Sequence, residues 1–172
     1  MNISYKYRFF KKPDIDQVLE IYNFHIENSL SNFEEKPLSK DDFYQLSSKI
    51  LDYNLPYIVC EDEEKIIGFT YLNRFRNKSG YKFSFENSIY LKNDHIGKGI
   101  GNKLLEFLIK EAKKNKKIKT IIAVIGSENS IPSIKIHKRN GFKLIGTLKK
   151  IGFKKNKWLN AIYMQKILNE KN

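Results

Sequence analysis

The stretch Gly97-Lys98-Gly99-Ile100-Gly101 carries three alternating glycines. It stands between an apolar run, Ser88-Ile89-Tyr90-Leu91, and a helical repeat of Leu104, Leu105, Leu108, Ile109 and Ala112. A glycine turn lets main-chain N–H groups approach a ligand closely. The helix behind it adds unpaired N–H groups and the positive end of its dipole. Strand, turn and helix start together suit a phosphate or diphosphate. The spacing is not G-x-G-x-x-G, and no G-x-x-x-x-G-K-[ST] occurs, so the dinucleotide fingerprint and the P-loop are excluded. A strand–helix connection with glycines for steric reasons alone is the plain alternative.

Three further groups can do chemistry. Glu86 alternates with Ser84 and Ser88 on one strand face, opposite Phe83, Phe85, Ile89 and Leu91. A carboxylate there is either a general base or the solvated partner of one of many lysines. His137 follows Ser133 and Ile134 at helical spacing, and a neutral imidazole both donates and accepts. His25 and His95 have weaker claims, as helix packing and as a turn residue. Cys60 ends a short apolar strand with no histidine nearby in sequence, which points to an inert buried thiol rather than a nucleophile. One cysteine also excludes an intramolecular disulfide and a multi-cysteine zinc site.

These groups need a scaffold, and the periodicity supplies one. A strand around Ile3–Phe9 precedes Lys12-Pro13-Asp14, a helix-start signal, and Ile15, Val18, Leu19 and Tyr22 then recur at helical spacing to Ile26. Ser39-Lys40-Asp41-Asp42 opens a second helix through Leu46 and Ile50. Tyr57–Cys60 and Ile66–Phe75 form a hairpin around Glu61-Asp62-Glu63-Glu64, and a strand is expected from about Tyr81 to Leu91. After the long helix come an apolar strand Thr120–Ile125 and a short helix from Asn129-Ser130 to Asn140-Gly141. Two last strands, near Phe142–Phe153 and Lys157–Lys166, meet at Lys155-Asn156. The order β-α-α-β-β-β-α-β-α-β-β describes a mixed α/β sandwich around one central sheet.

Bulk properties narrow the class. At 172 residues and 41% hydrophobic, residues 1–172 are expected to form one domain, without linker or repeat. The apolar runs are far short of a membrane span, and Met1–Arg8 has no apolar signal core, so a reduced, cytoplasmic protein is expected. Lys+Arg 32 against Asp+Glu 19 gives a net charge of +13. The densest run, Lys113-Lys114-Asn115-Lys116-Lys117, closes a helix, where the dipole favours cations. It reads as a solvated face, so nucleic acid is not the expected partner, although the positive potential draws in anionic ligands.

The element order and several motifs resemble the GNAT acyl-CoA N-acyltransferases, and within them the phosphinothricin acetyltransferase branch. The stretches that carry the likeness are Tyr22–Ser29 with Asn32-Phe33, Phe85–Leu91, and the glycine turn. Ala123-Val124-Ile125-Gly126 with Asn129, Ser133, His137 and Gly141-Phe142 continues it, and Gly152-Phe153-Lys154 with Trp158 and Met164 completes it. The chain departs from the superfamily at Ile96, where Gln or Arg is usual.

The resemblance implies a central, mostly antiparallel mixed sheet with a splayed strand pair, flanked by helices. It implies acetyl transfer from acetyl-CoA to the primary amine of a small molecule, an amino acid or an analogue of the phosphinothricin, methionine sulfone or sulfoximine type. By carry-over, Ile89, Tyr90 and Leu91 line the pantetheine arm, Gly97, Lys98, Gly99, Ile100, Gly101 and Asn102 hold the pyrophosphate, and Asn129 bonds the pantetheine. Glu86 becomes the general base, with Glu27 as second choice or as a residue ordering the substrate loop. His137 becomes a general acid for the thiolate, a contact to the pantetheine, or a cap on a carbonyl. Phe33, Arg76, Lys78, Tyr81 and Trp158 surround the acceptor. Lys78 stands where the branch more often has arginine, and a point charge there replaces a bidentate fork. No metal is implied, and a homodimer is. Acetylation of a peptide or protein amine, or a basic RNA-associated module on the same shell, are the alternatives.

Overall fold

The computed structural model describes residues 5–126 and 130–168. Seven strands form one sheet in the order β1-β2-β3-β4-β5-β7-β6. They are β1 Lys6–Phe9, β2 Tyr57–Asp62, β3 Lys65–Arg74, β4 Ser84–Leu91, β5 Thr120–Gly126, β6 Lys143–Lys154 and β7 Lys157–Ile167. The helices are α1 Ile15–Asn28, α2 Lys40–Asp52, α3 Ile100–Lys114 and α4 Ile131–Arg139. Every neighbouring pair is antiparallel except β4 with β5. No helix among the described residues is long and apolar enough to cross a membrane.

Local chemistry explains the elements. Ser39 caps α2 by accepting from the Asp42 N–H. The β2–β3 and β6–β7 hairpins turn through Glu63-Glu64 and Lys155-Asn156, all at positive φ, as two-residue turns between twisted strands require. The expected start of β4 at Tyr81 is not found. Ser79–Tyr81 is a 3-10 turn, Phe83 is exposed, and Asn87 takes a buried place on the apolar face.

The sheet is covered on both faces. Tyr22 of α1 packs against Phe43 of α2 and against Tyr90 of β4, beside Phe69 of β3. On the other face, Ile100, Leu104, Leu105 and Leu108 of α3 are buried. Burying such side chains contributes about 1.5–3 kcal/mol each, which makes these two layers the main source of stability. Cys60 is 0% exposed in β2 and its thiol is pushed up to about 11 by burial, which leaves no thiolate to act as nucleophile.

One polar network ties the first strand to the first helix. Arg8 donates from Nη1 and Nη2 to both Asp14 oxygens, at 2.7 and 2.9 Å, and from Nε to Glu61 at 2.7 Å. Burial pushes the Asp14 carboxyl up, but Arg8 and the Lys11 N–H outweigh it, and the net shift is downward. Glu61 is lowered by Arg8 first. Carboxyls depressed by folding contribute stability that is present above their unfolded pKa values and lost as pH falls through the folded ones. Chemical denaturation is therefore expected to show stability falling between about pH 5 and pH 3, with Arg8→Met flattening that slope. The same substitution is expected to cost about 3 kcal/mol at pH 7, since it strands the buried Asp14 carboxylate.

Candidate active site

β4 and β5 pair only from Ser84–Asn87 to Thr120–Ala123. Both strands run on, to Leu91 and to Gly126, without pairing further. Which groups this divergence leaves bare follows from the alternation of a strand's N–H and C=O groups between its two edges. Ser84 C=O accepts from Phe75 N–H, Ser88 C=O accepts from the Thr70 hydroxyl, and Lys92 N–H donates to Ile67 C=O. Even-numbered positions thus face β3. Phe83 C=O, by contrast, accepts from Lys119 and Thr120 on the β5 side. Ile89 and Leu91 therefore turn their main-chain groups into the gap, beyond the last paired residue, Asn87.

One of those groups is already occupied. His25 of α1 donates from Nε2 to the Leu91 carbonyl at 2.7 Å, because a carbonyl can only accept. Ile89 keeps both its N–H and C=O toward the gap, while Leu91 keeps only its N–H. The sequence reading of His25 as helix packing missed this bond. Its ring does pack, against Tyr90 and Phe24, but its nitrogen reaches the open strand edge.

The glycine turn leads from the end of β4 into α3. Gly97 and Gly99 have φ of +85° and +81°, and an added Cβ at either meets nothing within 4 Å. Backbone conformation, not crowding within the chain, requires glycine here. Gly99 is the N-cap of α3 and provides no side-chain cap, and the first helical bond is Lys103 N–H to Gly99 C=O. The N–H groups of Ile100, Gly101 and Asn102 are left for an anion, and no acidic residue lies in this first turn. Lys98 is exposed beside the turn, Ile100 puts its side chain in the core, and the Asn102 side chain binds Glu106 and Asn140.

Glu86, Ser88 and Tyr90 share the α1 face of the sheet. Glu86 is half-buried, and burial pushes its carboxyl up to about 7, with the Arg76 charge pulling the other way. A carboxyl poised near neutrality, next to an open strand edge, fits a general base in position and in pKa. Phe33 lies against Gly126 and Gly152. Arg76 sits over the Phe75 ring, and Tyr81 meets the same ring edge-on. Lys78 is exposed at the start of the turn that holds Tyr81. Glu27 is exposed at the end of α1, with its carbonyl taken by Lys155. Asn129 lies outside the described residues.

Two expected site residues are not where catalysis needs them. His137 is 1% exposed, and its Nδ1–H donates to Ser133 C=O at 2.7 Å. That bond fixes the tautomer, so Nε2 accepts from the Asn87 amide at 3.1 Å. Burial pushes its pKa down to about 4. A neutral ring with its only N–H bonded to main chain has no proton to give a thiolate. Trp158 pairs with Phe153, and the strand alternation puts both on the face opposite Gly152 and Phe33, with Trp158 61% exposed.

Comparison with known proteins agrees with this geometry. The sequence profile of the acetyltransferase (GNAT) domain matches residues 8–163. The chain belongs to the GNAT acetyltransferase family. This GNAT chain is an acyltransferase with relatives of known name. It is 33% identical to phosphinothricin N-acetyltransferase of Alcaligenes faecalis, over 94% of this chain and 82% of that one. It is 31% identical to L-methionine sulfoximine/L-methionine sulfone acetyltransferase of Salmonella typhimurium, over 95% and 94%. The crystal structure of a phosphinothricin acetyltransferase from Sinorhizobium meliloti in complex with acetyl-CoA superposes with a TM-score of 0.91 at 35% identity. That match covers 98% of this chain and 90% of the other.

The His137 assignment can be checked directly. Nitrogen-15 NMR of the imidazoles is expected to show His137 neutral, protonated on Nδ1, with no titration between about pH 8 and pH 5. A ring that gains its second proton near its ordinary pKa contradicts the bonding described.

Proposed function

We propose that this enzyme transfers an acetyl group from acetyl-CoA to the primary amine of an amino acid or a close analogue, with Glu86 as general base. The observation that carries the proposal is the bare strand edge at Ile89 and Leu91, one end near the glycine turn and the other beside Glu86. An extended amide-bearing arm can add to such an edge as a further strand does. Ile89 offers a donor and an acceptor to that arm, and Gly97–Asn102 offer main-chain N–H groups to its diphosphate. The bound cosubstrate supplies an acetyl thioester. The Sinorhizobium meliloti relative, solved in complex with acetyl-CoA, supports that cosubstrate here.

Glu86 takes the proton from an incoming ammonium, directly or through one water, since only a neutral amine attacks. The Leu91 N–H, its carbonyl partner already fixed by His25, is the donor for the oxyanion, a role worth about 3 kcal/mol in transition-state stabilisation. His137 holds Asn87 at the base of the divergence rather than moving a proton. A thiol ionises far more readily than an alcohol, a free cysteine with a pKa of about 8.5, so the departing sulfur tolerates leaving as an anion. Arg76 and Lys78 provide cations for an acidic group on the acceptor. The relatives named for phosphinothricin and for methionine sulfoximine and sulfone support that acceptor class.

We take residues 1–172 as one domain, cytoplasmic and homodimeric. The strand β6 at the sheet edge exposes the apolar side chains of Leu144, Ile145, Leu148 and Ile151, which a second copy paired at that edge would cover. Sedimentation at micromolar concentration is expected to give a dimer, and Leu148→Glu to give monomers.

Glu86→Gln is the test of the base. It is expected to lower kcat by about 10²- to 10⁴-fold, with acetyl-CoA affinity little changed. In the unaltered enzyme the rate is expected to rise with pH through about 7 as the buried Glu86 carboxyl loses its proton, and the variant is expected to lack that rise. Stopped-time assays of CoA release across pH 5.5–9 measure both, and unchanged turnover in the variant removes Glu86 from the role.

A further inference from the structure

We propose that Lys154 is a positioning residue for the acceptor side of the cleft, its buried ammonium clamping the loop Ser29–Phe33 across the diverging ends of β4 and β5. The inference rests on the function proposed above, in which that side receives the amine. Lys154 is 2% exposed at the end of β6. Its Nζ donates to Ser29 C=O at 3.1 Å and to Asn32 C=O at 2.7 Å. Among the described residues no carboxylate comes within ion-pair distance of it. A buried ammonium without a carboxylate in contact is costly, and burial, then neighbouring Lys155, lowers its pKa, with the Glu34 and Glu35 charges pulling the other way. Its place at the negative end of the α1 dipole, where Ser29 is the C-cap, offsets part of the cost as well. Lys155 reaches the same helix end, at the Glu27 carbonyl.

The clamped loop touches three strands. Asn32, itself buried, donates from Nδ2 to the Tyr90 hydroxyl on β4 at 3.3 Å, and its Oδ1 accepts from Glu34 N–H. At the end of β5, a Cβ on Gly126 would lie 2.9 Å from Ser31 Cα and 3.0 Å from Leu30 C=O. On β6, a Cβ on Gly152 would lie 3.0 Å from the Phe33 ring. The loop therefore spans from β4 to β6 on the face that carries Glu86. Lys154 is the charged tie that fixes its main chain. Lys154 touches neither the bare strand edge nor Glu86, so it acts only through the loop and the Phe33 wall that the loop presents.

Lys154→Met keeps the stem and removes the ammonium, and Lys154→Arg keeps a cation. The full chain carries three measurements: amide hydrogen exchange over residues 29–34, acetyl-CoA binding by calorimetry, and steady-state kinetics with L-methionine sulfone. In Lys154→Met, exchange in the loop is expected to speed up about tenfold or more as the loop opens locally. The acceptor KM is expected to rise about tenfold, with a smaller change in kcat and acetyl-CoA affinity within about twofold. Lys154→Arg is expected to bring exchange and KM back to within about threefold of the original. Unchanged loop exchange overturns the proposal, as does a loss of acetyl-CoA binding in step with the acceptor KM. If Lys154→Met does not fold, Lys154→Gln takes its place under the same two criteria. Should the unaltered enzyme leave L-methionine sulfone untouched, the acceptor assignment fails on its own, while loop exchange still decides the clamp.

Discussion

A strand in the middle of a sheet normally has both edges hydrogen-bonded, because a bare main-chain N–H or C=O inside a protein is costly. Here β4 loses its partner on one side after Asn87, and the gap opens at the centre of the sheet rather than at its rim. The rest of the molecule is arranged around that exception. The glycine turn and the uncapped start of α3 continue the line of free donors from the gap. A ligand long enough to need both a strand-like edge and an anion cradle is the one such a line accommodates.

Holding the divergence open takes polar groups in places where apolar ones would pack more cheaply. His25 fixes the Leu91 carbonyl from the α1 side. On the other face, Ser133, His137 and Asn87 form a chain that ends at the last paired position of β4. Lys154 and Asn32 secure the loop that crosses the strand ends. His25, His137 and Lys154 each bond main-chain carbonyls, which specify position more tightly than apolar contacts do.

Much of this could be read from the chain. Helical and strand periodicity located the seven strands and four helices, with β4 starting at Ser84 rather than near Tyr81, and the glycine turn before an amphipathic helix offered a candidate anion site. Glu86 was legible as a candidate because strand alternation set it on a polar face. What escaped was whatever depended on contacts between distant segments. His25 looks like any helix residue until α1 is laid against the end of β4. His137 has the residue type of an acid catalyst, and only the Ser133 carbonyl shows that its proton is already committed. The turn at Lys155-Asn156 pairs Trp158 with Phe153 from sequence alone, but only the fold shows that Phe33 lies against the opposite face, at Gly152. Lys154 stood in the last stretch of the resemblance without a role, and its burial follows from distant segments converging.

The central claim is that the bare edge of β4 receives the acyl donor, and residue-resolved amide exchange with and without acetyl-CoA tests it most directly. The N–H groups of Ile89 and Leu91 should become protected when acetyl-CoA is added, while those of Ser88 and Tyr90, already bonded to β3, should not change. Protection that leaves Ile89 and Leu91 untouched, or that appears only elsewhere on the chain, contradicts the account.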